Sequence, residues 1–222
     1  MIAYFAIIYR GFKDSTFGMP IAALAANLSW EAIYSFFLDP LGDYMHILSI
    51  PWFFIDLIIA AQCLKYGGKE FTAPFVRKYF KAIFCAAIAI AFPIVYLSFY
   101  EFRDPDGVYT GFGINFMMSF LFVAMLLRRE GVGGQSMYIA IFKWLGTFLA
   151  YIATALTVTT SYANPWPESL SSFVVDTATH TTYPLTPLIS VMYLVTFLVD
   201  ILYIVLLYSR LKECRISPWR RI

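Results

Sequence analysis

The chain has 222 residues, 60% of them apolar and 19% aromatic, with 16 Lys and Arg against 14 Asp and Glu and a mean hydropathy of +0.70. An ordinary soluble domain is about 25% charged; here the share is 14%, which excludes a disordered chain and argues against a soluble globular fold. The net charge of +2 gives no reason to invoke nucleic acid.

A membrane helix needs about 20 mostly apolar residues. The stretch 1–9 is short before Arg10 and lacks a basic n-region and a small-residue cleavage pattern, so it reads as a short or thinned first helix with a trimmed start rather than a signal peptide. Asp14-Ser15-Thr16 supplies capping residues ahead of a second span near 17–38, and Asp39-Pro40-Leu41-Gly42 ends that span with turn chemistry. Further spans follow near 47–65, 79–100, 112–127, 138–160 and 185–209. The connections are short, apart from a sixth at about 161–183. The pattern predicts an all-α, polytopic membrane protein, a single domain over 1–222 built as a seven-transmembrane-helix bundle. No internal repeat of the transporter kind is visible.

Lys and Arg fix an expected orientation. Arg103 falls in a connection on one side, and every other Lys and Arg falls on the opposite side or near it, including the group Lys65, Lys69, Arg77, Lys78 and Lys81. The positive-inside rule places that side, with the carboxyl terminus, in the cytoplasm and the amino terminus outside or in a lumen. Lys143 stands about a turn and a half inside the sixth span and reads as a side chain that snorkels to the cytoplasmic interface. Cys63, Cys85 and Cys214 are scattered and predict no disulfide. His46 and His180 fall in separate outer loops, and with no HExxH or CxxC no metal site is expected.

Most acids lie in connections or the tail, and the cluster Glu101, Asp104 and Asp106 reads as a solvated loop, not a DDxxD diphosphate site. Three acids remain inside spans: Glu31, Asp56 and Asp200. No Lys or Arg is expected at their depth. Intramembrane acids are costly, face the bundle interior and mark functional sites. At 1.5 Å per residue, Glu31 lies about 20 Å from the basic side, and Asp56 and Asp200 about 14 Å, so all three can line one cavity. Asn27, Glu31, Tyr34 and Ser35 share a face of the second span; Thr196, Asp200 and Tyr203 share one of the last. Rings such as Trp30, Tyr34 and Trp52 are near in sequence and can stabilise cations without attacking them. An acid beside an aromatic cage suits chemistry that makes a carbocation from a lipid-soluble substrate. A buried Asp serves as readily as an interhelical hydrogen-bond partner, and most rings in such a chain pack the bundle.

Gly18-Met19-Pro20 followed by Asn27-Leu28-Ser29-Trp30-Glu31 resembles the integral-membrane terpene cyclases of fungal meroterpenoid and indole-diterpene pathways, the paspaline-type and pyripyropene-type cyclases with bacterial relatives. Arg128-Arg129, Gly134-Gln135-Ser136 and Lys143-Trp144-Leu145-Gly146-Thr147 resemble the family's central motif, Asp200 with Tyr203 its last helix, and Pro218-Trp219-Arg220 its basic tail. Family members have a longer lead into the first helix. The resemblance implies a seven-helix, metal-independent and cofactor-free cyclase, embedded in the endoplasmic reticulum of a fungus or the inner membrane of a bacterium. Its substrate is a lipophilic prenyl chain on an aromatic or polyketide core, usually epoxidised. It maps the family's essential acids onto Glu31 and Asp200 as catalytic residues. Asn27, Trp30, Tyr34, Asp56 and Tyr203 are the expected substrate-binding residues. A proton-coupled transporter using the same acids is the alternative. A retinal receptor fails because 185–209 lacks a Lys.

Overall fold

A computed structural model of the chain describes residues 1–38, 43–160 and 166–221, with residues 43–48 as backbone only. The turn expected at 39–42, the His46 side chain and the 161–165 part of the sixth connection lie outside the described residues. The described elements are helices: α1 (Ile2–Lys13), α2 (Ile21–Phe36), α3 (Asp43–Tyr66), α4 (Pro74–Glu101), α5 (Val108–Arg128), α6 (Met137–Thr159), α7 (Leu170–Thr179) and α8 (Pro187–Glu213), with a 3-10 turn at Gly67–Glu70 after α3. The backbone at His46 is therefore already helical rather than loop.

The expected count of seven spans is not matched. Among the described residues, five helices are long and apolar enough to cross a bilayer: α3 from Ser49, α4, α5, α6 and α8. The 12 residues of α1 and the 16 of α2 fall short, and α7 is an additional helix inside the long sixth connection, started by a reciprocal Ser169–Ser172 capping box. A 16-residue helix rises about 24 Å, less than the roughly 30 Å of hydrocarbon. Its neighbours shield it. α2 packs on α3, α4 and α5, and Ala23, Leu24, Ala25, Ile33 and Tyr34 are all buried. α4 is the opposite case: Ile90, Ile94 and Leu97 point outward, which suits a lipid-facing helix. α8 packs on α5 and α6, and α1 on α6 and α3.

One end of α2 rests on a buried cap. The Asp104 carboxylate accepts from Tyr109 N at 3.0 Å, Thr110 N at 2.8 Å, Thr110 Oγ1 at 2.9 Å and Tyr183 OH at 2.9 Å. It thereby satisfies two of the free amides that open α5. The expectation of a solvated acidic loop fails for Asp104, which is fully buried; an acceptor at a helix N-terminus is best used when dry. Gly107 turns the chain there at φ 68°, and a β-carbon on it would lie 2.8 Å from Trp30 and Tyr34.

The other end is a polar knot at the basic side. Asp14 accepts from Arg10, from Arg221 Nη2 at 2.5 Å and from Gly134 N at 2.9 Å. Arg129 is buried; it donates to Gly133 O at 2.6 Å and Phe17 O at 2.9 Å and stacks on the Phe17 ring at 4.5 Å. Glu70 stands 3.4 Å from Arg129 and accepts from the Thr16 hydroxyl. Arg221 also donates to Val132 O and Gln135 O. Thus Arg10, Arg129 and Arg221, read from sequence as side-marking charges, join the α1–α2 turn, the α5–α6 turn and the tail.

Gly134 sits at φ 70°, and a β-carbon on it would stand 2.7 Å from Phe17 O. Gly134→Ala is expected to cost about 1–3 kcal/mol, seen as a lower Tm in detergent micelles. Burial alone would push the Asp14 carboxyl up, but hydrogen bonds from Arg10 and Gly134, with the charges of Arg221 and Arg10, hold it below the usual carboxylate value. Its stabilising effect is full above the unfolded value of about 3.9 and is lost as pH falls through the lower folded value. Unfolding followed from pH 5 downward should show a steeper acid loss in the wild type than in Asp14→Asn.

Candidate functional site

Between α1, α2, α3, α5 and α6 lies a cavity of about 310 Å³, at the small end of ligand pockets. Much of its wall is apolar, with Met19, Met118, Phe122, Phe142 and Trp52 among its side chains. Two polar faces break that wall, and each is backed by acids that do not themselves border the space.

The first face is Tyr4 on α1 and Asn27 on α2. Asn27 Nδ2 donates to Tyr4 OH at 3.1 Å and to Asp56 Oδ2 at 2.6 Å. Glu31 follows Asn27 by one helical turn, is buried, and lies within electrostatic reach of Asp56. Glu31 Oε2 and Asp56 Oδ1 are buried without a hydrogen-bond partner among the described residues. A buried acceptor left unmet costs about 1–3 kcal/mol, so these two are held against stability. Neither carboxyl has a cation partner among the described residues.

The second face is Asn115 on α5 with Lys143 and Thr147 on α6. Lys143 Nζ donates to Asp200 Oδ1 at 2.6 Å, to Asp200 Oδ2 at 2.9 Å and to Ser119 Oγ at 2.6 Å. Asn115 Nδ2 donates to Thr147 Oγ1 at 3.0 Å. This corrects two expectations. Lys143 does not snorkel to the interface; it is turned inward, buried over the Phe122 ring at 5.8 Å. Asp200 is not an unanswered acid, because a cation at its own depth takes both its oxygens. The reason is rotational: the α6 face that carries Lys143 is the one that packs on α8.

The expected site residues separate accordingly. Asn27 borders the cavity, with Asp56 bonded behind it and Glu31 buried one helical turn further along α2. Asp200 stands behind Lys143. Tyr203 is buried further along α8, its ring 5.4 Å from Phe122 and its hydroxyl donating to Gln135 Oε1 at 3.3 Å. Trp30 and Tyr34 lie elsewhere. They stack at 4.3 Å, Trp30 Nε1 donates to Thr110 Oγ1 at 2.9 Å, and Tyr34 OH reaches the Asp104 carbonyl at 3.4 Å. They pack the α5 cap and do not border the cavity. Sequence reasoning missed Tyr4, Asn115, Ser119, Lys143 and Thr147. A signal was present for four of them: Asn115 and Ser119, and Lys143 and Thr147, are each spaced four apart in otherwise apolar helices, which places each pair on one face.

Residues 1–213 match the family of Pyr4-like transmembrane terpene cyclases. The chain belongs to this family. It is 27% identical over 172 residues to asnovolin H synthase nvfL of Aspergillus novofumigatus, covering 76% of this chain and 70% of that protein. It is 28% identical over 151 residues to the Pyr4-family terpene cyclase mfmH of Annulohypoxylon moriforme, covering 67% and 62%. It is 27% identical to the terpene cyclase ascF of Acremonium egyptiacum across 100% of this chain and 81% of that one. No solved structure matches. Terpene cyclisation is thus the activity of the group, the protein is an integral membrane protein, and the transporter alternative is not favoured.

The Asn27–Asp56 contact can be tested as a pair. Asn27→Leu strips Asp56 of its donor and should lower stability by about 1–3 kcal/mol. Asn27→Leu with Asp56→Leu removes both polar groups and should recover most of that loss in thermal unfolding in detergent.

Proposed function

We propose that this terpene cyclase closes rings in a prenyl chain carried on an aromatic or polyketide core, and that Glu31 and Asp56 together deliver the starting proton. The reading is carried by one observation: two buried carboxyls, with no cation among their described partners, stand behind the polar edge of an apolar cavity. With Asn27 and Tyr4 turned aside by the bound substrate, a carboxyl O–H of the pair behind them gives its proton to the oxygen of a terminal epoxide, or to a terminal alkene. The C–O bond opens, or the double bond takes the proton, and a tertiary cation forms. Neighbouring double bonds then add in turn, each forming one C–C bond and passing the cation along. Loss of a proton from the last cation restores the balance, so the reaction is an isomerisation. Nothing else is consumed.

The rings around the cavity, Trp52, Phe122 and Phe142, offer faces that stabilise the moving positive charge. Their walls keep water from capturing the cation early. Asp200, with both oxygens on Lys143, is assigned to hold that lysine rather than to start the cascade. The positive-inside rule supports placing the knot end in the cytoplasm, in a eukaryotic host at the endoplasmic reticulum.

The test is expression in a host without such cyclases, with membranes fed epoxidised prenyl arenes. Glu31→Gln should lower turnover by about 10²-fold or more, as loss of a general acid does, and Asp56→Asn by about tenfold or more. Asp176→Asn, exposed on α7, should leave turnover unchanged. Full activity in Glu31→Gln would sink the assignment of the donor.

A further inference from the structure

Lys143 is the charged side chain on the cavity wall among the described residues. A buried ammonium beside a developing carbocation works against the reaction unless a carboxylate neutralises it, and Asp200 does so with both oxygens. That removes the penalty but leaves the question of what an inward-turned ammonium gains. A leucine at 143 with an apolar residue at 200 would fill the same space, and exchanging a buried ion pair for apolar groups is often neutral or stabilising. The pair therefore calls for a use beyond packing.

The geometry supplies one. The Lys143 ammonium has three donors and no acceptor. Two directions go to Asp200 and one to Ser119 Oγ at 2.6 Å. The Ser119 hydroxyl is itself occupied as a donor to Asn115 O at 3.1 Å. It is a neutral contact, weaker than the carboxylate, and so the one that an incoming oxygen can replace without uncovering Asp200. The acid face at Asn27 and Tyr4 and the ammonium face at Lys143 both border the same cavity, on different helices.

Resting on the cyclase reading above, we propose that Lys143 is a substrate-binding residue: its ammonium takes a carbonyl or phenolic oxygen of the substrate's core and holds the prenyl terminus toward Glu31 and Asp56. Asp200 is then a positioning residue that fixes the ammonium and cancels its charge. The chemical class follows from the donor set. The cavity favours a core carrying an oxygen acceptor over a bare hydrocarbon ring, because an ammonium can only donate.

The experiment uses the full chain in membranes and two probes that share one epoxidised prenyl chain: a prenylated phenol and the matched arene without the hydroxyl. The wild type should prefer the phenol by about tenfold or more in kcat/KM, as sites built for a substrate oxygen do, with the difference in KM. Lys143→Met should bring the two substrates within about twofold while still cyclising the arene, and Lys143→Arg, which keeps donors, should retain part of the preference. Because Lys143→Met strands Asp200, the double variant Lys143→Met with Asp200→Asn is run beside it and should show the same loss of preference. An equal fall on both probes in these variants, or no preference in the wild type, overturns the proposal while leaving the cyclase reading intact. If the wild type cyclises neither probe, the reading of the substrate as an epoxidised prenyl arene falls and this inference with it.

Discussion

A charge left inside a bilayer must be answered by a neighbour or held at a cost. This constraint organises the interior of the molecule. Lys143 answers Asp200 so fully that neither charge is exposed to hydrocarbon. Glu31 and Asp56 are answered only in part, by the amide of Asn27 on one oxygen of Asp56. The two pairs back different faces of one cavity, and the contrast between them divides its polar wall into a face backed by an ion pair and a face backed by two carboxyls without a cation among the described residues.

α2 makes that division possible. It is too short to span a bilayer by itself, yet it packs on α3, α4 and α5 and reaches α1 through Asn27 and Tyr4. One of its faces carries Asn27 and Glu31 toward α3 and the cavity. Another carries Trp30 and Tyr34 onto the Asp104 cap of α5. Ridges of small residues, Ala23, Ala25 and Ala26, let its neighbours come close. Its position along the bundle is set from outside: by the Asp104 cap at one end and by the Asp14–Arg129–Arg221 knot at the other. A shift of one residue along the axis would move Glu31 about 1.5 Å and turn it by some 100°, away from Asp56. The polar ends therefore act on the site without touching it.

The stretches that carry the family resemblance are mostly of this supporting kind. Gly18, Arg129, Gly134 and the basic tail meet in the knot, where a β-carbon on Gly18 would stand 2.7 Å from the Gly134 carbonyl. Lys143 and Thr147 belong to the same central motif, yet they line the cavity. A motif read as one string thus mixes a structural turn with a functional face, and the string itself carries no mark of the boundary.

Composition and hydrophobic runs determined that this is a helical membrane protein, because the lengths of apolar stretches are local quantities written along the chain. Charge counting reduced the interior acids to Glu31, Asp56 and Asp200, because few charges can be placed in a hydrocarbon layer at all. The helical repeat put Asn27 and Glu31 on one face. What the chain by itself did not determine was partnership. Lys143 and Asp200 are 57 residues apart, Arg221 and Asp14 are 207 apart, and whether such groups meet depends on the rotation and depth of helices that pack independently of their spacing in sequence. Likewise Trp30 is next to Glu31 in the chain but about 100° around the helix from it, so the same turn serves the α5 cap and carries a buried acid. Only the packed bundle decided which acids met a cation, which did not among the described residues, and which rings lined the cavity.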